Sequence, residues 1–168
     1  PLPANKKDYQ KLLKKQEGYK LAKVKGKASS AFASNWENKT IELGKNTFGW
    51  KSLKLNFGKK EVTMTVTETN GKSYELPFGY QEWITTTFDS YPPYSITPID
   101  RFKGLEGPYY ASGSYAWISK EELQLKVHYV NWVSALEITF RLDENGEVKL
   151  NVQTNYIKKP YSISGKIK

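Results

Sequence analysis

The last sixty residues of this chain alternate apolar and polar side chains almost without interruption. Leu123, Leu125, Val127 and Tyr129 share one parity, with Gln124, Lys126 and His128 on the other. Leu136, Ile138, Phe140 and Leu142 repeat the pattern against Glu137, Thr139 and Arg141. Successive side chains of a strand point to opposite faces, so period-two alternation marks a strand with one face buried and one wet. Runs at 109–118, 122–130, 135–143, 148–154 and 161–167 carry it, separated by charged or Gly/Asn turns.

The same grammar begins near Thr40. Leu53, Leu55 and Phe57 alternate with Lys54 and Asn56, and Val62, Met64 and Val66 alternate with threonines. Asn70-Gly71 and Asn145-Gly146 read as tight hairpins of the type I′ kind, in which both turn residues take positive φ. Thr85, Thr86 and Thr87 are β-branched and support a further strand. Residues 89–108 break the rhythm with four prolines and two glycines, which forbids a regular central strand there. Loops of that length are functional, interface-forming or flexible. Gly113 interrupts a strand pattern and predicts a bulge or a close approach of another backbone. Helical periodicity is missing between the runs, which argues against parallel βαβ units. The fold class is all-β: an antiparallel up-and-down meander of eight to ten strands closed into a barrel, since closure removes exposed edges.

Ahead of the strands, Asn5 is a candidate N-cap with Asp8 in the first turn and Gly18 as a stop. Tyr9, Leu12 and Leu13 recur at helical spacing among lysines. A helix of about a dozen residues is marginal alone, so this short N-terminal helix is expected to dock that stripe on a neighbour. The division predicted is residues 1–35 as linker and helix, and 36–168 as barrel. Pro1 to Pro3 reads as the end of a linker, and the start without methionine reads as a piece of a longer protein.

The chain has 168 residues, no cysteine and a net charge of +9. Disulfides, zinc–thiolate sites and a cysteine nucleophile are thereby excluded. No apolar run approaches the ~20 residues of a membrane-spanning helix. The charge is uneven: residues 1–27 hold nine lysines against Asp8 and Glu17, whereas the rest of the chain has a surplus of two. Only Arg101 and Arg141 supply the bidentate guanidinium favoured for phosphate and base edges. The lysine-rich arm is therefore read as a solvated face with at most weak attraction to anionic surfaces, and nucleic acid is not expected as a partner.

Chemistry-bearing patterns are sparse. Neither Ser-x-x-Lys nor Gly-x-Ser-x-Gly occurs, and no glycine-rich phosphate loop is present. Tyr129-Val130-Asn131 matches a Tyr-x-Asn pattern, but 12 tyrosines and 10 asparagines supply about 0.7 such matches by chance. His128, the only histidine, falls on the polar parity of its strand, where an exposed or hydrogen-bonded role outweighs a metal ligand. Glu121 and Glu122 are adjacent and belong in a turn after Trp117-Ile118, without convergence as an acid pair. No catalytic residue, metal or cofactor is assigned. The remaining signal is aromatic: Trp36, Trp50, Trp83, Tyr91, Tyr94, Tyr109 and Tyr110 fall near predicted loops and strand ends. They read either as plugs of the barrel ends or as a surface contacting a ligand or domain, a use for which Trp and Tyr are favoured.

The ordered series LPANKKDYQKLLKK, NKTIELGKNTFGWKSLKLNF, SGSYAWISKEELQLKVHYVNWVSALEITFRL and NVQTNYIKKPYSISGKI resembles the C-terminal module of bacterial serine hydrolases of the class C β-lactamase/penicillin-binding-protein type. The resemblance spans nearly the whole chain and rests on glycines, aromatics and strand order. It implies a lipocalin-like barrel, non-catalytic in itself, packed against an upstream catalytic domain of the same polypeptide that carries the Ser-x-x-Lys. In such a protein the 89–108 loop would shape substrate entry. An open barrel acting as a free-standing small-molecule carrier is the alternative. It would need an apolar cavity of roughly 300 Å³ or more, and the large inward residues Phe57, Met64, Leu125 and Phe140 favour a filled core instead.

Overall fold

The computed structural model describes residues 5–93 and 107–168. Ten strands follow one another among them: β1 (Thr40–Leu43), β2 (Trp50–Phe57), β3 (Glu61–Glu68), β4 (Ser73–Tyr80), β5 (Ile84–Phe88), β6 (Tyr109–Trp117), β7 (Leu123–Tyr129), β8 (Ala135–Leu142), β9 (Val148–Thr154) and β10 (Tyr161–Ile167). Each pairs with its sequence neighbour except across one step, and β1 pairs with β10 through Ile41 and Ile167, so the meander closes on itself. An all-β barrel with a short N-terminal helix is what the alternation predicted.

The exception is the seam between β4 and β6. These strands run parallel, with Gly79 opposite Ser114 and Tyr80 opposite Tyr115. β5 does not take a place in the ring. It turns back to lie antiparallel on the first half of β6, with Ile84 opposite Gly113 and Phe88 opposite Tyr109. Nine strands form the ring, and an odd number cannot alternate direction all the way round, so one neighbouring pair must be parallel. A purely antiparallel barrel is thus corrected at this seam. Gly113 makes the seam possible: a Cβ there would lie 2.2 Å from the Pro77 carbonyl oxygen. The close backbone approach anticipated at this glycine is present.

The Asn-Gly hairpins differ in detail from a two-residue turn. Gly71 N donates to Glu68 O (3.0 Å) and Glu68 N to Lys72 O (2.8 Å), and only Gly71, at φ 87°, is left-handed. The 143–147 turn is built alike around Gly146 at φ 76°. Both are three-residue loops with a glycine bulge, the next commonest hairpin solution.

Inside the ring the alternation becomes packing. In β7 every odd-numbered residue from Leu123 to Tyr129 is buried and every even one is half-buried. Met64, Leu125 and Phe140 are fully buried, and Trp36, Trp117 and Tyr115 are among the largest side chains inside. Barrel width grows with strand number, and about eight strands suffice for side chains to fill the interior. A ninth strand widens the ring, and bulky aromatics take up the room.

The N-terminal part splits into a fastened half and a free half. Residues 24–28 run along β6 as a strap: Lys27 and Trp117 exchange two backbone hydrogen bonds of 2.9 Å. Tyr80 Oη donates to Gly26 O (3.1 Å) and Tyr115 Oη to Ala28 O (2.9 Å). This strap protects the edge of β6 beyond the end of β4, as exposed edges require. A 3-10 turn, Ala31–Asn35, then drops Trp36 into the barrel mouth. The helix α1 (Lys6–Glu17) is capped as expected, the Asn5 side chain accepting from Lys7 N (3.1 Å) and Asp8 N (3.2 Å). Gly18 ends it in a right-handed conformation, with φ −76°. No residue of α1 is buried, and Tyr9 and Leu12 are 60% and 51% exposed. The expected docking of this stripe does not occur within the described residues. Among these residues, no helix is long and apolar enough to cross a membrane.

Candidate functional site

The strand ends form two aromatic clusters. At one mouth Trp36 stacks on Trp117 (5.5 Å between centroids, planes 6° apart) and touches Phe140 at 6.1 Å and Phe32 at 5.4 Å. The Nε1 atoms of Trp36 and Trp117 are buried without an acceptor among the described residues. This end is a plug. A shallow groove of about 670 Å³ beside it runs between the strap and the turn after β6, with Phe32, Trp117, Ile118 and Lys120 on its walls.

The opposite mouth is differently made. Phe48 stacks on Trp50 at 4.8 Å and meets Tyr161 edge-on at 5.2 Å. Phe88 packs on Tyr74 (5.2 Å), Tyr109 (6.0 Å) and Tyr129 (5.7 Å), and Tyr91 lies 5.4 Å from Tyr109. Polar groups penetrate this cluster. Burial pushes the hydroxyl pKa of Tyr74 up, and the Glu68 carboxylate reinforces the shift. The Tyr129 hydroxyl is also pushed well up by burial, then by its Tyr74 and Tyr156 neighbours, and it has no hydrogen-bond partner among the described residues. Both phenols stay neutral through the physiological range.

A cleft of about 450 Å³ opens above this floor. Phe48, Tyr91, Tyr156 and Tyr161 provide its aromatic walls, and Glu68 and Lys72 its charges. Glu68 is tethered on both oxygens: Ser90 Oγ donates to Oε1 (2.5 Å) and Asn70 Nδ2 to Oε2 (2.9 Å). The Ser90 bond ties the β3–β4 turn to the segment after β5, and the Asn70 bond braces the turn itself. Phe48 is held by Asn46, whose Oδ1 accepts from Phe48 N (3.1 Å) and Trp50 N (3.2 Å). No known protein-family model matches the chain, and no curated protein matches it in sequence.

The seven aromatics singled out from sequence separate into three groups. Trp36, Trp50 and Tyr109 are core residues of the two mouths. Tyr91 is 56% exposed and lines the cleft. Trp83 and Tyr110 lie on the outer surface, Trp83 edge-on to His128 at 5.2 Å and Tyr110 43% exposed. Tyr94 lies outside the described residues. Tyr129-x-Asn131 is structural: Tyr129 faces the core, and Asn131 bridges backbones by accepting from Tyr110 N (2.9 Å) and donating to Pro108 O (3.2 Å). Ser119 Oγ accepts from the amides of Glu121 (3.2 Å) and Glu122 (3.1 Å), so the two carboxylates sit in a turn as expected. His128 is half-buried, its Nε2 has no partner among the described residues, and it packs against an indole in place of the exposed or hydrogen-bonded role expected. Among the described residues no three His, Asp or Glu side chains gather for a metal.

Sequence reasoning missed Phe48, Glu68, Lys72, Tyr156 and Tyr161. The one available signal was Asn70-Gly71, which located Glu68 and Lys72 at a strand end. Phe48 and Glu68 meet through the β2–β3 pairing, which sets Trp50 opposite Glu68, whereas Tyr161 arrives through the pairing of β1 with β10 and Ser90 with β5 through the β4–β6 seam.

Proposed function

We propose that this chain is a non-catalytic accessory barrel that packs beside a serine β-lactamase-like catalytic domain of the same polypeptide, with α1 as the docking element. The observation that carries this is the uncovered stripe of α1. At about 100° per residue Tyr9, Leu12 and Leu13 share one face, Lys6 and Lys15 border it, and Lys7, Lys11 and Lys14 lie opposite the stripe. Lysines directly behind it suit a helix lying in a protein groove with its charges in water. The strap hydrogen bonds of Gly26, Lys27 and Ala28 limit how far the helix can stray from the barrel. A 12-residue helix gains stability mainly from such packing.

Hydrogen exchange tests the reading. The α1 amides exchange fast in the chain alone and become protected in a polypeptide that also carries the neighbouring domain. Equal exchange in both would end the docking role. Turnover of nitrocefin or a p-nitrophenyl ester by the chain alone would overturn its non-catalytic assignment. A free-standing carrier with a central chamber is disfavoured by the interior, where Met64, Leu125 and Phe140 are fully buried in one continuous cluster.

A further inference from the structure

We propose that the cleft between Phe48, Glu68, Tyr91 and Tyr161 binds a neutral carbohydrate, a short chain of pyranose rings. Its volume of about 450 Å³ lies within the range of about 300–1,000 Å³ usual for small-molecule sites. Charge narrows the ligand class. Glu68 and Lys72 face the same cleft, and neither makes an ion pair among the described residues. Their charges cancel locally, inside a protein of net charge +9. An organic cation would find aromatic faces and one carboxylate, the elements of an ammonium cage. It would also meet Lys72 and the positive field of the whole molecule. An anion would meet the Glu68 carboxylate. A neutral, hydroxyl-rich ligand avoids both penalties and uses both charged groups as strong hydrogen-bond partners.

The walls fit a sugar ring. A pyranose has an apolar C–H face and a polar edge, and it needs a flat ring beside planar donors and acceptors. Tyr91 offers an exposed ring at 56% exposure, and Phe48 and Tyr161 form a corner at an interplanar angle of 80°. The groups are held before any ligand arrives. Asn46 fixes Phe48 through two backbone amides, and Ser90 and Asn70 fix Glu68 while occupying one lone pair on each of its oxygens. A carboxylate accepts about four hydrogen bonds, so Glu68 retains capacity for sugar hydroxyls. Lys72 contributes an ammonium donor and Asn70 an amide. Preorganised side chains lose little entropy on binding. This site belongs to the barrel alone and does not depend on what α1 docks against.

The test is an NMR titration of the chain with a panel of soluble neutral oligosaccharides (β-glucans, chito-oligosaccharides, xylans, mannans, α-glucans). Tetramethylammonium chloride and inorganic phosphate serve as the cationic and anionic arms. The expected result is saturable movement of the Phe48, Asn70 and Tyr161 resonances with at least one oligosaccharide. Tyr91→Ala and Glu68→Gln would each weaken it about tenfold, the loss of one stacking platform or one charge-assisted partner. Lys120→Ala, at the opposite mouth, should leave binding unchanged, and retained amide dispersion in each variant guards against unfolding. Binding of tetramethylammonium or phosphate at these residues without any oligosaccharide response would overturn the proposal. So would silence across the panel, or oligosaccharide binding indifferent to Tyr91→Ala and Glu68→Gln.

Discussion

The indole of Trp36 lies flat on that of Trp117, 5.5 Å between centroids and 6° from parallel, where the 3-10 turn meets the end of β6. The two residues are 81 positions apart in sequence, and their contact closes one mouth of the barrel. Trp36 is fully buried there.

Trp36→Ala is therefore expected to remove about 3–5 kcal/mol of stability, the usual cost of deleting a large aromatic from a core. Trp36→Phe should cost clearly less, because the indole Nε1 makes no hydrogen bond among the described residues that phenylalanine would lose. Urea unfolding followed by circular dichroism measures both, and an alanine cost below about 1 kcal/mol would show that Trp36 is not a structural plug.

Two glycines make a controlled comparison. Gly113→Ala places a Cβ 2.2 Å from Pro77 O and 2.8 Å from Phe78 Cδ1, so the parallel seam must move. The cost is at least the 1–3 kcal/mol typical of overpacking. Gly71→Ala meets nothing within 4 Å but keeps φ +87°, and pays only the left-handed penalty of about 1–2 kcal/mol. Thermal melts should rank Gly113→Ala as the more damaging, with loss of the Gly79–Ser114 pairing visible in hydrogen exchange. The reverse order would contradict the close approach.

His128 should give the fold a mild acid sensitivity. Burial holds its pKa below the ordinary 6.5, Lys126 adds to that, and Glu137 opposes it. The folded state therefore binds fewer protons than the unfolded chain between its lowered pKa and 6.5. Stability from this group is fully present above 6.5 and is lost as pH falls from there through the folded value. His128→Gln removes that component, so the difference in urea midpoint between pH 7.5 and pH 5 should be smaller in the variant. An identical pH dependence would show that folding does not lower the imidazole pKa.

The outer face of α1 makes an opposite kind of prediction. Tyr9→Ser together with Leu12→Ser should change the melting of the chain alone by no more than about 0.5 kcal/mol, since neither side chain is buried. In a polypeptide containing the proposed neighbour, the same pair should abolish protection of the α1 amides. A large loss of stability in the isolated chain would mean that the stripe packs on the barrel after all.

The strands were legible because their physics is local. Parity places Leu123, Leu125, Val127 and Tyr129 on one face whatever lies opposite, and the Asn-Gly pairs punctuate the runs. The helix cap at Asn5 was legible for the same reason, since an Asx side chain satisfies amides only two and three residues ahead. The aromatics were not. Trp36 and Tyr91 both sit near predicted loops, yet one plugs a mouth and the other faces solvent. The difference comes from the 3-10 turn in the first case and from the Glu68–Ser90 tether in the second.

What the order of residues settles alone is the class of fold, the strand runs and the uneven charge, all of which follow from periodicity and composition. Ring closure decides the rest. Nine strands require one parallel seam, the seam requires Gly113, and closing β1 onto β10 brings Phe48 to Tyr161. These contacts join residues tens of positions apart, and such distant pairs are invisible to local pattern because their energy exists only once the chain has closed.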